Sequence, residues 1–185
     1  MSTILAMSDP ANIPDGGPIT IRPERPGDEP EIGKVLRLAF GQEDEELLVG
    51  QLRADGQGTL SLAAVEGDRI VGHVLFCPLT VRTLHGPTEA LALAPLAVLP
   101  SHQRRGIGTR LVREGLAAVA AAGHRIVTVL GHPEFYTRFG FTTEAAEPLY
   151  VPFPAHAWMA LELVPGALNG VRGPVVYPKA FGIAE

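Results

Sequence analysis

The chain holds a single cysteine, Cys77, in 185 residues. An internal disulfide is therefore excluded, a thiolate metal cluster has no ligands, and a reducing compartment fits best, with Cys77 as a packing residue. Charge is scarce as well. Asp, Glu, Lys and Arg make up 19% of the chain and the formal net charge is -5, with a pI of about 5.7. Nothing in that balance offers a broad basic surface to nucleic acid or an anionic membrane; Arg104 and Arg105 form a local basic spot only. Long apolar runs are missing too. None approaches the roughly 18 residues that cross a bilayer, and the N-terminus lacks the basic region and hydrophobic segment of an export signal. These absences predict a soluble cytoplasmic protein. Hydrophobic residues at 46% nonetheless give a globular composition. With no internal repeat and no linker, one domain is expected over residues 18–163, with a flexible lead at 1–17 and a tail at 164–185 packed on it or extending it.

What is present centres on residues 91–108, LALAPLAVLPSHQRRGIG. Residues 91–99 have strand length and are almost wholly apolar, as in a strand buried on both faces. Pro95 interrupts them. Proline has no N–H for a sheet ladder, so it predicts a bulge or a place where pairing with one neighbour stops. Gln103-Arg104-Arg105-Gly106-Ile107-Gly108 follows and opens a helical pattern. Unpaired N–H groups at a helix start, beside two arginines, suit a phosphate or pyrophosphate.

The rest of the chain supplies elements around that unit. Alternation predicts a strand at 18–22, and helical spacing predicts helices at 27–40, with Asp28 as cap, and at 43–52. The acidic group Glu43, Asp44, Glu45 and Glu46 favours a helix N-terminus, with a wall of a cationic substrate site as the other reading. A hairpin follows: 60–65, a turn at 66–68, and 69 to about 81. Gly72 marks a bulge or a close backbone approach within it, and a loop around His85-Gly86-Pro87 leads on. After the turn, a helix runs to Ala122 with Gly123 as its stop. A buried strand is expected at 126–130, then a short helix bearing Phe135, Tyr136 and Phe139 that Gly140 ends. A last strand is expected at 157–163, and Val175-Val176-Tyr177 in the tail offers an edge segment.

A strand ending Leu96-Ala97-Val98-Leu99-Pro100, the turn at 103–108 and Phe135-Tyr136-Thr137-Arg138-Phe139-Gly140-Phe141 some thirty residues later together resemble the GNAT superfamily of acyl-CoA-dependent N-acyltransferases. The stretch from Gly131-His132-Pro133 to Phe141 is similar to one bacterial subgroup of predicted acetyltransferases. The resemblance implies a mixed α/β fold: a mainly antiparallel twisted sheet of about seven strands, flanked by about four helices, with a splayed central pair. It implies acetyl-CoA as acyl donor, no metal, and a primary amine of a small molecule or protein as acceptor. The apolar, proline-rich end would suit a homodimer contact.

Residue roles follow from the same resemblance. Leu96, Ala97 and Val98 would pair with pantetheine. Gln103, Arg104, Arg105, Gly106, Ile107, Gly108 and Thr109 would hold the pyrophosphate. The Val98 N–H would donate to the thioester oxygen, and Tyr136 would act as general acid on the departing sulfur. The base is the weak point: residues 91–99 contain no acid, and Glu89 is the nearest candidate, ahead of Glu134 and His73, with a positioned water as the alternative. That gap leaves open a second reading, an acyl-CoA-binding sensor without catalysis.

Overall fold

The computed structural model describes residues 17–183, so the lead expected at 1–17 falls, but for Gly17, outside the described residues. Eight strands and five helices are found among them: β1 (Ile19–Pro23), α1 (Glu29–Phe40), α2 (Asp44–Ala54), β2 (Leu60–Glu66), β3 (Arg69–Thr83), β4 (Gly86–Val98), α3 (Ile107–Ala121), β5 (Ile126–Leu130), α4 (Pro133–Tyr136), α5 (Thr143–Ala146), β6 (Leu149–Tyr150), β7 (Trp158–Glu162) and β8 (Gly173–Val176). The sheet runs β1-β2-β3-β4-β5-β7, antiparallel except for β4 beside β5. β8 pairs with Thr80 and Val81 of β3, beyond the part that β2 covers, and carries β6 on its other side. The tail thus extends the sheet. No described helix is long and apolar enough to cross a membrane.

The second hairpin is tighter than the sequence predicts. β4 begins at Gly86 rather than Leu91, and only Leu84 and His85 separate it from β3. Gly86-Pro87 reads as a loop because both residues break ladders. Here Pro87 lies on an edge, since β5 pairs with β4 only at Leu91 and Ala92, so its missing N–H costs nothing. Gly72 serves both expected purposes. The β2 to β3 register shifts beside its partner Ala64, and a β-carbon on Gly72 would meet Leu111 and Ile107 of α3 at 3.1 and 3.2 Å. Helix α3 therefore packs closely on one face of the sheet.

On the other face lie α1 and α2. Asp28 is at the N-cap of α1, yet its side chain caps nothing; it pairs with Arg22 at 2.6 Å and accepts from the Arg25 N–H at 2.7 Å, which secures the exit of β1. Arg37 of α1 pairs with Glu46 of α2. Cys77 is fully buried in β3, and burial pushes its thiol up to about 12, consistent with an inert packing role.

Candidate active site

The site begins where β4 loses a neighbour. Across the ladder, Leu75 faces both Ala94 and Pro95, a bulge at the proline that interrupts the sequence pattern. The Ala94–Pro95 peptide is cis. On the opposite edge β5 pairs no further than Ala92, so the strand runs on to Val98, on the order of 20 Å at normal strand rise, without a partner there. Antiparallel alternation fixes what that edge offers. The Leu99 N–H donates to the Val71 carbonyl at 2.9 Å, so the preceding pair, Val98 opposite Gly72, turns its N–H and C=O away from β3. Leu96 has the same parity. Ala97 has the other, and its backbone is committed to β3 opposite His73, so only its side chain faces the opening. Gln103 Nε2 donates to the Val98 carbonyl at 3.1 Å, which leaves the Val98 N–H as the outward donor.

The turn that follows is shaped by two left-handed residues. Gly106 caps α3 at φ 77°, and Arg104 adopts φ 63°, a conformation costly for a side chain bearing a β-carbon. Glu66, at the β2 to β3 turn, anchors this segment. One carboxylate oxygen lies 3.0 Å from His102 Nε2 and the other accepts from Arg105 at 2.9 Å; His102 Nδ1 is 2.8 Å from the Ser101 hydroxyl. The hydrogen bond to His102, then that to Arg105, holds the Glu66 carboxyl below the usual carboxylate range. Arg105 is thus tied to the scaffold and does not line the cavity, whereas Arg104 does. Of the pair expected to add charge, one lines the cavity and the other is tied to Glu66.

A cavity of about 350 Å³ occupies this region, lined by Leu96, Ala97, Val98, Gln103, Arg104 and Gly106 through Thr109, among others. Its charged residues are Arg104 and Arg138, with no carboxylate among the described lining residues. The α3 N-terminus adds partial positive charge. The chemistry suits an elongated anion with an amide-bearing arm, because phosphates find N–H groups and arginines while the arm finds the free edge of β4. Gly108 has room to spare: a β-carbon there would make ordinary contacts with Phe135 at 3.5 Å and Val98 at 3.7 Å.

A second cavity, about 390 Å³, lies on the other side of the β4 bulge, and Phe40, Leu96 and Tyr136 line both. Its charged residues are Asp44 and Glu45, with no lysine, arginine or histidine among the described lining residues. One cavity is set for an anion and its neighbour for a cation. Tyr136 stands between them, buried to within 8%, its ring edge-on to Phe135 and Phe141. Burial alone raises its pKa, so the phenol keeps its proton at neutral pH.

The base candidates are not brought here. Glu89 is exposed on β4 opposite Thr80, seven residues before Leu96, and lines neither cavity. Its expected place beside the site came from starting the strand too late. Glu134 is exposed and outside both cavities. His73 is sealed in the core, with Nε2 2.8 Å from the Ser61 hydroxyl and 3.7 Å from Glu24. Desolvation, partly offset by Glu24, holds its pKa below the ordinary histidine value. What residue patterns did not reveal is the far wall of the second cavity: Phe153, Tyr177, Ala180, Phe181 and Ile183, all late in the chain. Among the described residues no cluster of histidine, cysteine and carboxylate side chains could hold a metal ion.

Known proteins share this fold. The family model described as an acetyltransferase (GNAT) domain matches residues 20–143. YhbS of Escherichia coli K12, an uncharacterised N-acetyltransferase, is 37% identical over 164 residues, 87% of this chain and 97% of YhbS. The crystal structure of E. coli YhbS in complex with CoA superimposes with a TM-score of 0.83 at 34% identity, covering 97% of this chain and 98% of that one. A GNAT family acetyltransferase from Brucella melitensis in complex with acetyl-CoA gives 0.75 at 34% identity, with 88% and 97% covered. A mixed sheet with a central parallel pair that parts at a proline bulge, a glycine turn opening α3, and relatives of this identity and coverage lead to one conclusion: the chain belongs to the GNAT acetyltransferase family.

Proposed function

We propose that the protein is an N-acetyltransferase that moves an acetyl group from acetyl-CoA to a primary amine by direct attack. The observation that carries this reading is the pair of adjoining cavities of opposite charge, with Tyr136 and Leu96 in the wall of both. Acetyl-CoA supplies the activated acetyl group as a thioester. Arg104, Arg138 and the N–H groups from Gly106 to Thr109 hold its phosphates, while the free backbone groups of Leu96 and Val98 hold its amide arm. The Val98 N–H donates to the thioester oxygen as charge builds there, a contribution worth about 10²–10³ in rate.

The amine enters from the second cavity. Its nitrogen forms the new C–N bond, the C–S bond breaks, the amine gives up a proton, and the sulfur leaves with the electron pair and takes a proton to become the CoA thiol. An amine of pKa near 10.4 costs about 4–5 kcal/mol to deprotonate at pH 7. Asp44 and Glu45, the carboxylates lining that cavity, accept the proton directly or through water. Tyr136 serves the sulfur as a hydrogen-bond donor. Full proton transfer runs against its raised pKa, since a thiol of pKa near 8.5 is the stronger acid.

Calorimetric titration with acetyl-CoA, CoA, ATP and NAD tests the donor site: binding of the CoA compounds alone is expected, and tight nucleotide binding without them would overturn the reading. Thiol release across an amine panel tests the transfer.

A further inference from the structure

Resting on that reading, we propose that the acceptor is an amine on an aromatic or bulky aliphatic body that carries no carboxylate or phosphate. Its cavity, about 390 Å³, is of the size that encloses a small molecule. The wall is built by rings. Tyr177 stands 5.7 Å from Phe153 and 4.9 Å from Phe181, edge-on to each, and Phe40 joins them in the lining. The Tyr177 hydroxyl lies beside Thr128, whose own hydroxyl donates to the Leu91 carbonyl at 3.3 Å, and Tyr177 and Thr128 both line the cavity. Such a surface stabilises an apolar body by burial and edge contacts, and tolerates an ammonium against a ring face.

Charge supplies the second half of the argument. With Asp44 and Glu45 as the cavity's charged lining, and no cationic side chain among the described residues of the wall, an anionic group on the acceptor would be desolvated without a partner and repelled. Free α-amino acids and phosphorylated amines are thereby disfavoured, although their amino groups are chemically competent. Phe153, Tyr177 and Phe181 also lie beyond residue 143, where the match to the family pattern ends. The selective wall is thus built outside the segment that carries the shared donor site.

The test is thiol release from acetyl-CoA with matched pairs, 2-phenylethylamine against phenylalanine and tyramine against tyrosine, with spermidine as a hydrophilic cation. The expected result is kcat/KM roughly a hundredfold higher for each amine than for its carboxylated counterpart, as an unpaired buried charge dictates, and spermidine below both amines. An amino acid or spermidine used as well as the aromatic amines would overturn the proposal. Phe181→Ala and Glu45→Gln should each raise KM for 2-phenylethylamine roughly tenfold, with KM for acetyl-CoA unchanged. Calorimetry of the same pairs on CoA-loaded protein reads the cavity without turnover. If no amine releases thiol, the transferase reading fails; tighter or equal binding of phenylalanine there would still sink the present proposal, and selective binding of 2-phenylethylamine would support it.

Discussion

Gly131 and Tyr136 contend for one space: a β-carbon on Gly131 would lie 2.9 Å from Cδ2 of the tyrosine ring, with Cε2 nearer still. The glycine that follows β5 therefore lets the ring settle between the two cavities. Gly131→Ala is expected to displace it, and because misplacement by about 1 Å can cost 10²-fold, turnover should fall by roughly that factor. Steady-state kinetics should show the loss in kcat, with acetyl-CoA affinity little changed.

Tyr136→Phe keeps the ring and its contacts with Phe135 and Phe141. One hydrogen bond to a charged sulfur is lost, worth about 1.5–3 kcal/mol, so kcat should drop about ten- to a hundredfold with thermal stability unchanged. Unchanged turnover would remove Tyr136 from the mechanism.

The two glycines of the turn should respond differently. Gly106 sits at φ 77° with open space where a β-carbon would go, so Gly106→Ala strains the backbone and should cost about 1–2 kcal/mol of stability. Gly108 has ordinary conformation and ordinary contacts, so Gly108→Ala should fold as the parent does. Chemical denaturation distinguishes them. Gly108→Glu, in contrast, places a carboxylate in the arginine-lined cavity and should abolish CoA binding with the fold intact.

Parts of this site are legible in the sequence. Residues 126–130 read as a buried strand from their short length and β-branched content, and Pro95 inside an apolar run announces a break whatever the fold. Asp44 and Glu45 were legible only as acid at a helix start, because which side of α2 meets a cavity depends on packing. Phe153, Tyr177 and Phe181 carry no local signal at all. They line one cavity with Phe40, more than a hundred residues away in the chain, because β8 docks on the edge of β3 that β2 leaves open. The tie between Arg105 and Glu66 is hidden for a related reason: Glu66 belongs to a turn 39 positions earlier.

Glu66→Gln should loosen the donor loop without touching a ligand. KM for acetyl-CoA is expected to rise roughly fivefold, the scale of an exposed ion pair, while kcat holds. Arg105→Ala should raise it by less, because the contact between Glu66 and His102 survives, and the double variant should be no worse than Glu66→Gln, which already weakens the link to Arg105.

Acid should unfold the protein in two overlapping stages. His73 has a folded pKa below 6.5, so its contribution is complete above that value and is lost as pH falls through the folded pKa. Glu24 is half-buried, which resists ionisation, yet the His73 ring 3.7 Å away, the hydrogen bond from the Ser61 hydroxyl and the Arg53 charge 2.6 Å away bring its carboxyl from 4.5 to about 2. Its contribution is complete above 4.5 and is lost towards pH 2. Tm should therefore decline steadily from pH 7 to pH 3. His73→Gln should flatten the part just below 6.5 and Glu24→Gln the part below 4.5; the slope is the readout, since a general loss of packing lowers the whole curve without changing it.

The most direct test of the account is amine-dependent release of CoA thiol, followed with the acetylated amine identified as product, in the parent and in Tyr136→Phe. The account predicts release that requires both acetyl-CoA and an amine, stoichiometric with N-acetylated product, and slowed in the variant. Tight acetyl-CoA binding with release at the uncatalysed rate across every amine would contradict it and mark the chain as an acyl-CoA-binding module.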